Sequence, residues 1–171
     1  MKKKYLIALD GSENAEYALS WSLENLINPS EDELLILSVG MLTDGNPYEY
    51  TAATRHILNG DELKLQRQQA EEQARKYVNK GKKIVSDFLY NKEFNQFLCE
   101  YYVNSSSDPA NYIVDFVREN KVDVLVLGRR GVDQPEAVSV GSVSKYCLHS
   151  VMCTVVIVRR KTEIHKDNIA P

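Results

Sequence analysis

Five short apolar runs, separated by stretches with helical periodicity, constrain this chain more than any other feature. Tyr5-Leu6-Ile7-Ala8-Leu9 shows no polar alternation, which is how a strand covered on both faces reads. Leu34 to Val39 repeats the pattern and Phe94 to Val103 is a weaker version. Val122 to Leu127 is almost wholly apolar, and Thr154 to Val158 closes the series. Strands that alternate with helices imply right-handed crossovers and a parallel sheet. The expectation is an α/β fold: an open five-stranded parallel sheet with helices on both faces. It forms one domain over residues 1–160, and 161–171 is a polar, mobile tail.

The punctuation between the runs supports this. Asp10-Gly11-Ser12 combines a turn with helix-capping residues. From Asn14 to about Asn28, Tyr17, Ala18 and Trp21 suit one helical face, and Asn28-Pro29 ends it. Thr43 to Asn59 reads as a long loop. A long helix is expected over Asp61 to Tyr90, with Leu63, Ala70, Ala74, Tyr77, Gly81 and Val85 at helical spacing. Ser107-Asp108-Pro109 starts another helix, which ends near Asn120. A short helix is expected from Ser142 to Ser150.

Composition excludes several classes. Of 171 residues, 43% are hydrophobic and 26% charged, enough for a core and unlike a disordered chain. A net charge of −3 argues against nucleic acid as a partner. Met1-Lys2-Lys3-Lys4 is basic, but the apolar run behind it stops at Asp10, too short for a signal sequence. No apolar stretch reaches the roughly 20 residues that cross a bilayer, so no membrane is expected. Cys99, Cys147 and Cys153 follow no metal-ligand spacing, and a sparse odd count suits a reducing, cytoplasmic setting. Cys147 and Cys153 read as small core residues, and the scattered His56, His149 and His165 form no ligand set. No metal site is expected in the chain itself.

In an open parallel sheet, ligands bind beyond the carboxyl ends of the strands, where strand order reverses. The segments to read there are Asp10-Gly11-Ser12, Val39-Gly40, Asn104 to Asp108, and Gly128 onward. Gly128-Arg129-Arg130-Gly131 is followed, after nine residues, by Gly141-Ser142-Val143-Ser144 at the start of a helix. Glycines let backbone N–H groups approach a phosphate, and a helix amino end adds unpaired donors and a favourable dipole. Ser142 and Ser144 could donate hydroxyl protons, and Ser142 could meet a Mg²⁺ carried by the phosphates. Arg129 or Arg130 could supply charge. Asp10 could accept hydrogen bonds from ribose hydroxyls, and Val39 could offer a wall to a base.

The spacing Gly128-x2-Gly131-x9-Gly141-Ser142 resembles the G-x2-G-x9-G-[S/T] signature of the ATP-binding branch of the universal stress proteins. The likeness extends to Leu6–Ser12, Asp108-Pro109-Ala110 and Cys153–Val158. It implies strand order 3-2-1-4-5, Rossmann-like and similar to the adenine nucleotide alpha hydrolases. It further implies that Asp10 faces the ribose and that Ala8 and Val39 flank the adenine of ATP or AMP. Gly128, Arg129, Gly131, Gly141, Ser142, Val143 and Ser144 would then surround the phosphates. A homodimer through the fifth strand, Thr154 to Val158, and a role in stress response also follow from the resemblance. Asp133 and Glu136 depart from the family pattern, since carboxylates repel a triphosphate unless they point away or meet a metal.

No G-x4-G-K-[S/T] loop, G-x-G-x-x-G turn, G-x-S-x-G elbow or kinase motif set is present. No catalytic residue is therefore assigned. The expected function is a nucleotide-binding regulatory module. The alternatives are a slow ATPase or phosphotransfer protein using Ser142 and a metal, and a protein-interaction dimer without nucleotide.

Overall fold

The computed structural model describes residues 2–42, 60–92, 94, 97–129 and 141–160. The expected loop over Thr43–Asn59, Gly131 with most of the segment before Gly141, and the tail from residue 161 lie outside the described residues. The elements run β1 (Lys4–Ala8), α1 (Glu13–Asn25), β2 (Glu33–Met41), α2 (Gly60–Lys92) and β3 (Leu98–Ser106). Then come α3 (Pro109–Glu119), β4 (Val124–Gly128), α4 (Ser142–Ser150) and β5 (Thr154–Val158).

All strand pairings are parallel, in the order β3-β2-β1-β4-β5. The central strands β1, β2 and β4 are buried on both faces, which explains why they lack alternation. On one face Ile7, Leu34, Ile36 and Val126 pack under Ala18, Leu19 and Leu23 of α1 and Val85 of α2. On the other, Leu6, Leu35, Leu37 and Leu125 pack under Ile113, Phe116 and Val117 of α3 and Cys147 of α4. From β1 the chain builds outward through β2 and β3, then returns to the far side of β1 for β4 and β5. The direction of winding reverses between β1 and β4, and a crevice opens there at the carboxyl ends.

The third strand is displaced from the expected Phe94–Val103. Phe94 lies just past the end of α2 and folds back on it: its N–H donates to the Leu89 carbonyl (3.2 Å), and its ring stacks on Phe88 at 6.2 Å. The strand instead continues through Asn104, Ser105 and Ser106, paired with Val39, Gly40 and Met41. Polar side chains are tolerated at that end because each finds a local partner. Asn104 Nδ2 donates to the Tyr112 hydroxyl (2.6 Å), and Ser105 Oγ donates to Glu71 (3.1 Å).

Helix α1 ends at Asn25, before Asn28-Pro29, with the Leu26 and Ile27 N–H groups both donating to the Ser22 carbonyl at 2.9 Å. Helix α2 is about 50 Å long at 1.5 Å per residue. It lies so close to β2 that a Cβ on Gly40 would strike the Ala70 carbonyl. Burial along its apolar stripe begins only at Ala74, and Leu63 is 51% exposed. Ala70 already stands over the penultimate residue of β2, so the turns ahead of it pass beyond the end of the sheet.

Candidate functional site

Strand β1 runs into Leu9 and Asp10, which the sequence marks as the turn before α1. One oxygen of Asp10, Oδ1, accepts from the Ser12 N–H (3.0 Å) and from the Ser12 hydroxyl (2.6 Å). Ser12 in turn is the N-cap of α1, its Oγ accepting from the Ala15 N–H at 3.2 Å. Asp10 is therefore a turn-forming carboxylate whose Oδ1 is engaged with Ser12, and Ser12 does the capping. Between them Gly11 sits at φ +80°, where a side chain is strained.

Across the crevice, β4 ends at Gly128. A Cβ there would lie 2.6 Å from the Asn14 carbonyl and 2.7 Å from the Ala15 nitrogen. The first turn of α1 thus rests on the last residue of β4, which brings the Asp10 turn and Gly128 to the same crevice. The Arg129 N–H is tied to the Val158 carbonyl (2.8 Å), aligning the exits of β4 and β5.

Helix α4 begins at Gly141, an N-cap without a side-chain capping bond. The amides of Ser142, Val143 and Ser144 are the ones a helix start leaves without intrahelical partners. Ser142 is exposed and Ser144 is buried at 7% exposure. Helix α3 enters the same region by its expected start: Asp108 Oδ1 caps the Asn111 N–H (3.1 Å) and Pro109 occupies the first turn.

These ends enclose a cavity of about 100 Å³. Of the residues expected at a site, Ala8, Asp10, Val39, Gly128, Val143 and Ser144 line it. Gly141 and Ser142 adjoin Val143 in the first turn of α4, and Arg129 follows Gly128. Gly131 lies outside the described residues. The sequence reading missed Pro109 and Ile113, which complete the apolar wall. Their signal was the Asp108 cap, since a helix starting there turns positions 109 and 113 to one side. The arrangement combines an apolar pocket, a carboxylate on one lip and helix-end amides on the other. Such a set suits an amphipathic ligand with an anionic end.

A larger concavity of about 660 Å³ lies at the opposite, amino-terminal end of β4 and β5, beside Val117, Lys121 and Met152. It is an open groove at the wrong end of the strands for a sheet of this kind and has no converging helix amino ends. The smaller crevice is the candidate. Its neighbourhood offers no activated thiol, because burial pushes Cys147 on α4 up to about 11. Among the described residues there is no group of three His, Cys, Asp or Glu able to hold a metal ion, and no helix long and apolar enough to cross a membrane.

The family model of the universal stress protein family matches residues 1–159. The chain is 26% identical over 162 residues to "Universal stress protein YxiE" of Bacillus subtilis, covering 93% of this chain and all of that protein. In fold it is similar to a universal stress protein family member from Arabidopsis thaliana solved with AMP bound. That likeness has a TM-score of 0.54 and 22% identity, over 94% of this chain and 93% of that one. It is also similar to a universal stress protein in complex with cAMP, with a TM-score of 0.51 and 17% identity, over 92% and 96% of the two chains. The strand order and the family match over residues 1–159 agree, and the chain belongs to the universal stress protein family.

Proposed function

We propose that the crevice between β1 and β4 binds an adenine nucleotide, ATP or AMP, and that the chain acts as a cytoplasmic regulatory homodimer in stress response or signalling. The observation that carries this reading is the order of groups along the crevice. An apolar pocket at Ala8, Val39 and Ile113 suits a base, and Asp10 on the β1 lip suits a ribose. The amino end of α4, from Gly141 to Ser144, suits phosphates. The AMP and cAMP held by the two structural neighbours support the choice of adenine. Ser142, exposed at the start of α4, is the hydroxyl suited to a Mg²⁺ arriving with the phosphates.

The homodimer reading has its own support in β5. The Thr154 N–H donates toward β4, to Asp123 (3.1 Å), and the Val158 carbonyl accepts from Arg129 (2.8 Å). With parallel alternation, Val155 and Ile157 turn their backbone groups away from β4, to the edge that no other described strand pairs. Isothermal titration of ATP, AMP and GTP into wild type and Asp10→Ala tests the site. Saturable binding of the adenine nucleotides, weakened about tenfold by Asp10→Ala, is the expected outcome. Absence of binding to all three, or equal binding of GTP, overturns the reading.

A further inference from the structure

We infer that Tyr77 on α2 is a positioning residue of the nucleotide site, its ring backing the Asp10–Gly11 turn so that the Asp10 carboxylate stays aimed at the ribose. The inference rests on the nucleotide reading above and adds to it a residue from the opposite face of the sheet. Three ring atoms of Tyr77, Cδ1, Cε1 and Cζ, occupy the volume where a Cβ on Gly11 would stand. The ring therefore sits against the Gly11 backbone, at the one residue of the turn with a positive φ.

Tyr77 is itself held. Its hydroxyl accepts from Gln73 Nε2 one turn earlier on α2, and its ring packs against the core of the α1–α2 face. Helix α2 is anchored on both sides of it by the buried Ala74 and Val78. Lys80 bridges to Glu16 of α1 at 2.9 Å, which fixes α2 beside the helix that the turn leads into. On its other side the turn is tied through Ser12, which takes up Asp10 Oδ1. Position thus passes from α2 through the Tyr77 ring to Gly11 and so to Asp10. Glycine has the widest conformational range of any residue, so a turn built on it holds one geometry only where its surroundings impose it. Bonds from hydroxyls to a carboxylate are short and directional, and lose strength when the acceptor is not preorganised.

The test reads discrimination at the ribose and not affinity alone. ATP and 2′,3′-dideoxy-ATP are titrated into wild type, Asp10→Ala, Tyr77→Ala and Tyr77→Phe, with a thermal melt of each protein. Wild type is expected to favour ATP by about tenfold, and Asp10→Ala to abolish the preference. Tyr77→Ala is expected to abolish most of the preference by weakening ATP while leaving the dideoxy affinity in place. Tyr77→Phe, which keeps the ring, restores it. A folded Tyr77→Ala that keeps the wild-type ratio, or weakens both nucleotides alike, overturns the inference and leaves the nucleotide site standing. If wild type binds neither nucleotide, the site reading itself falls. If it binds both equally, the ribose role of Asp10 falls and that of Tyr77 with it. Should Tyr77→Ala lack a cooperative melt, Gly11→Ala, which drives a methyl group into the same ring, takes its place. An undiminished preference in that variant overturns the inference.

Discussion

At Gly128 the cost of a side chain is set by backbone atoms, which cannot rotate away. A methyl group there meets the Asn14 carbonyl and the Ala15 nitrogen, so α1 must lift from β4 to admit it. Gly128→Ala is expected to cost about 1–3 kcal/mol, read as a lowered urea midpoint, and to widen the crevice. That contact joins residues far apart in sequence, and nothing local to Gly128 announces it. Asp10 was legible because Asp-Gly-Ser after an apolar run is a local turn pattern, and the same holds for the Asp108 cap. The buried thiols add a pH dependence. Burial pushes Cys99 and Cys147 up to about 11 from an ordinary value of 9.0. Between those values the unfolded chain has released thiol protons that the folded chain retains, so stability falls as pH rises through that window and is unaffected below it. Urea midpoints measured from neutrality to pH 11 are expected to show the decline, and Cys147→Ala to make it shallower.

Among the elements, α3 is the one whose ends carry the most local information. Its start was readable in the Asp108 cap and its stop falls where it was expected, near Asn120, although the next position holds lysine where glycine is usual. Lys121 adopts φ 53°, its N–H donating to the Arg118 carbonyl (3.3 Å) while the Val122 N–H donates to Val117 (3.0 Å). That is a Schellman closure, with Val122 and Val117 together in the core beneath it. Lys121→Gly removes the left-handed strain and is expected to raise stability by about 1 kcal/mol, measured by chemical denaturation. Loss of stability would mean that the lysine stem contributes more than its backbone costs. The displaced β3 has a different cause. Phe94 looks like strand material by type, but a neighbouring phenylalanine on α2 captures it, and only tertiary packing decides between the two. The stripe along α2 likewise named Leu63 for the core, whereas the extent of the sheet beneath the helix decides where burial stops.

For the whole molecule, the class of fold was legible in the strands alone, since runs without alternation require cover on both faces. Strand order came from the family signature and not from the runs, because any doubly wound order buries the same residues. It fixes which loops meet, and hence that Asp10 and Gly128 face one crevice while the amino-terminal groove lies elsewhere. The edge of β5 that faces away from β4 belongs to this scale too. Ile157→Pro removes a donor directed away from β4, so the fold is expected to persist while the proposed dimer dissociates in analytical ultracentrifugation. A variant that stays dimeric would place the contact elsewhere. The crevice itself is tested most directly by native mass spectrometry of wild type and Gly141→Asp in millimolar ATP. Aspartate is a favourable N-cap, so the variant keeps α4 while setting a negative charge where the phosphates would lie. Each wild-type chain is expected to carry an added adenine nucleotide, and Gly141→Asp none. Wild type at the mass of the bare chain, or a variant loaded equally, would contradict it.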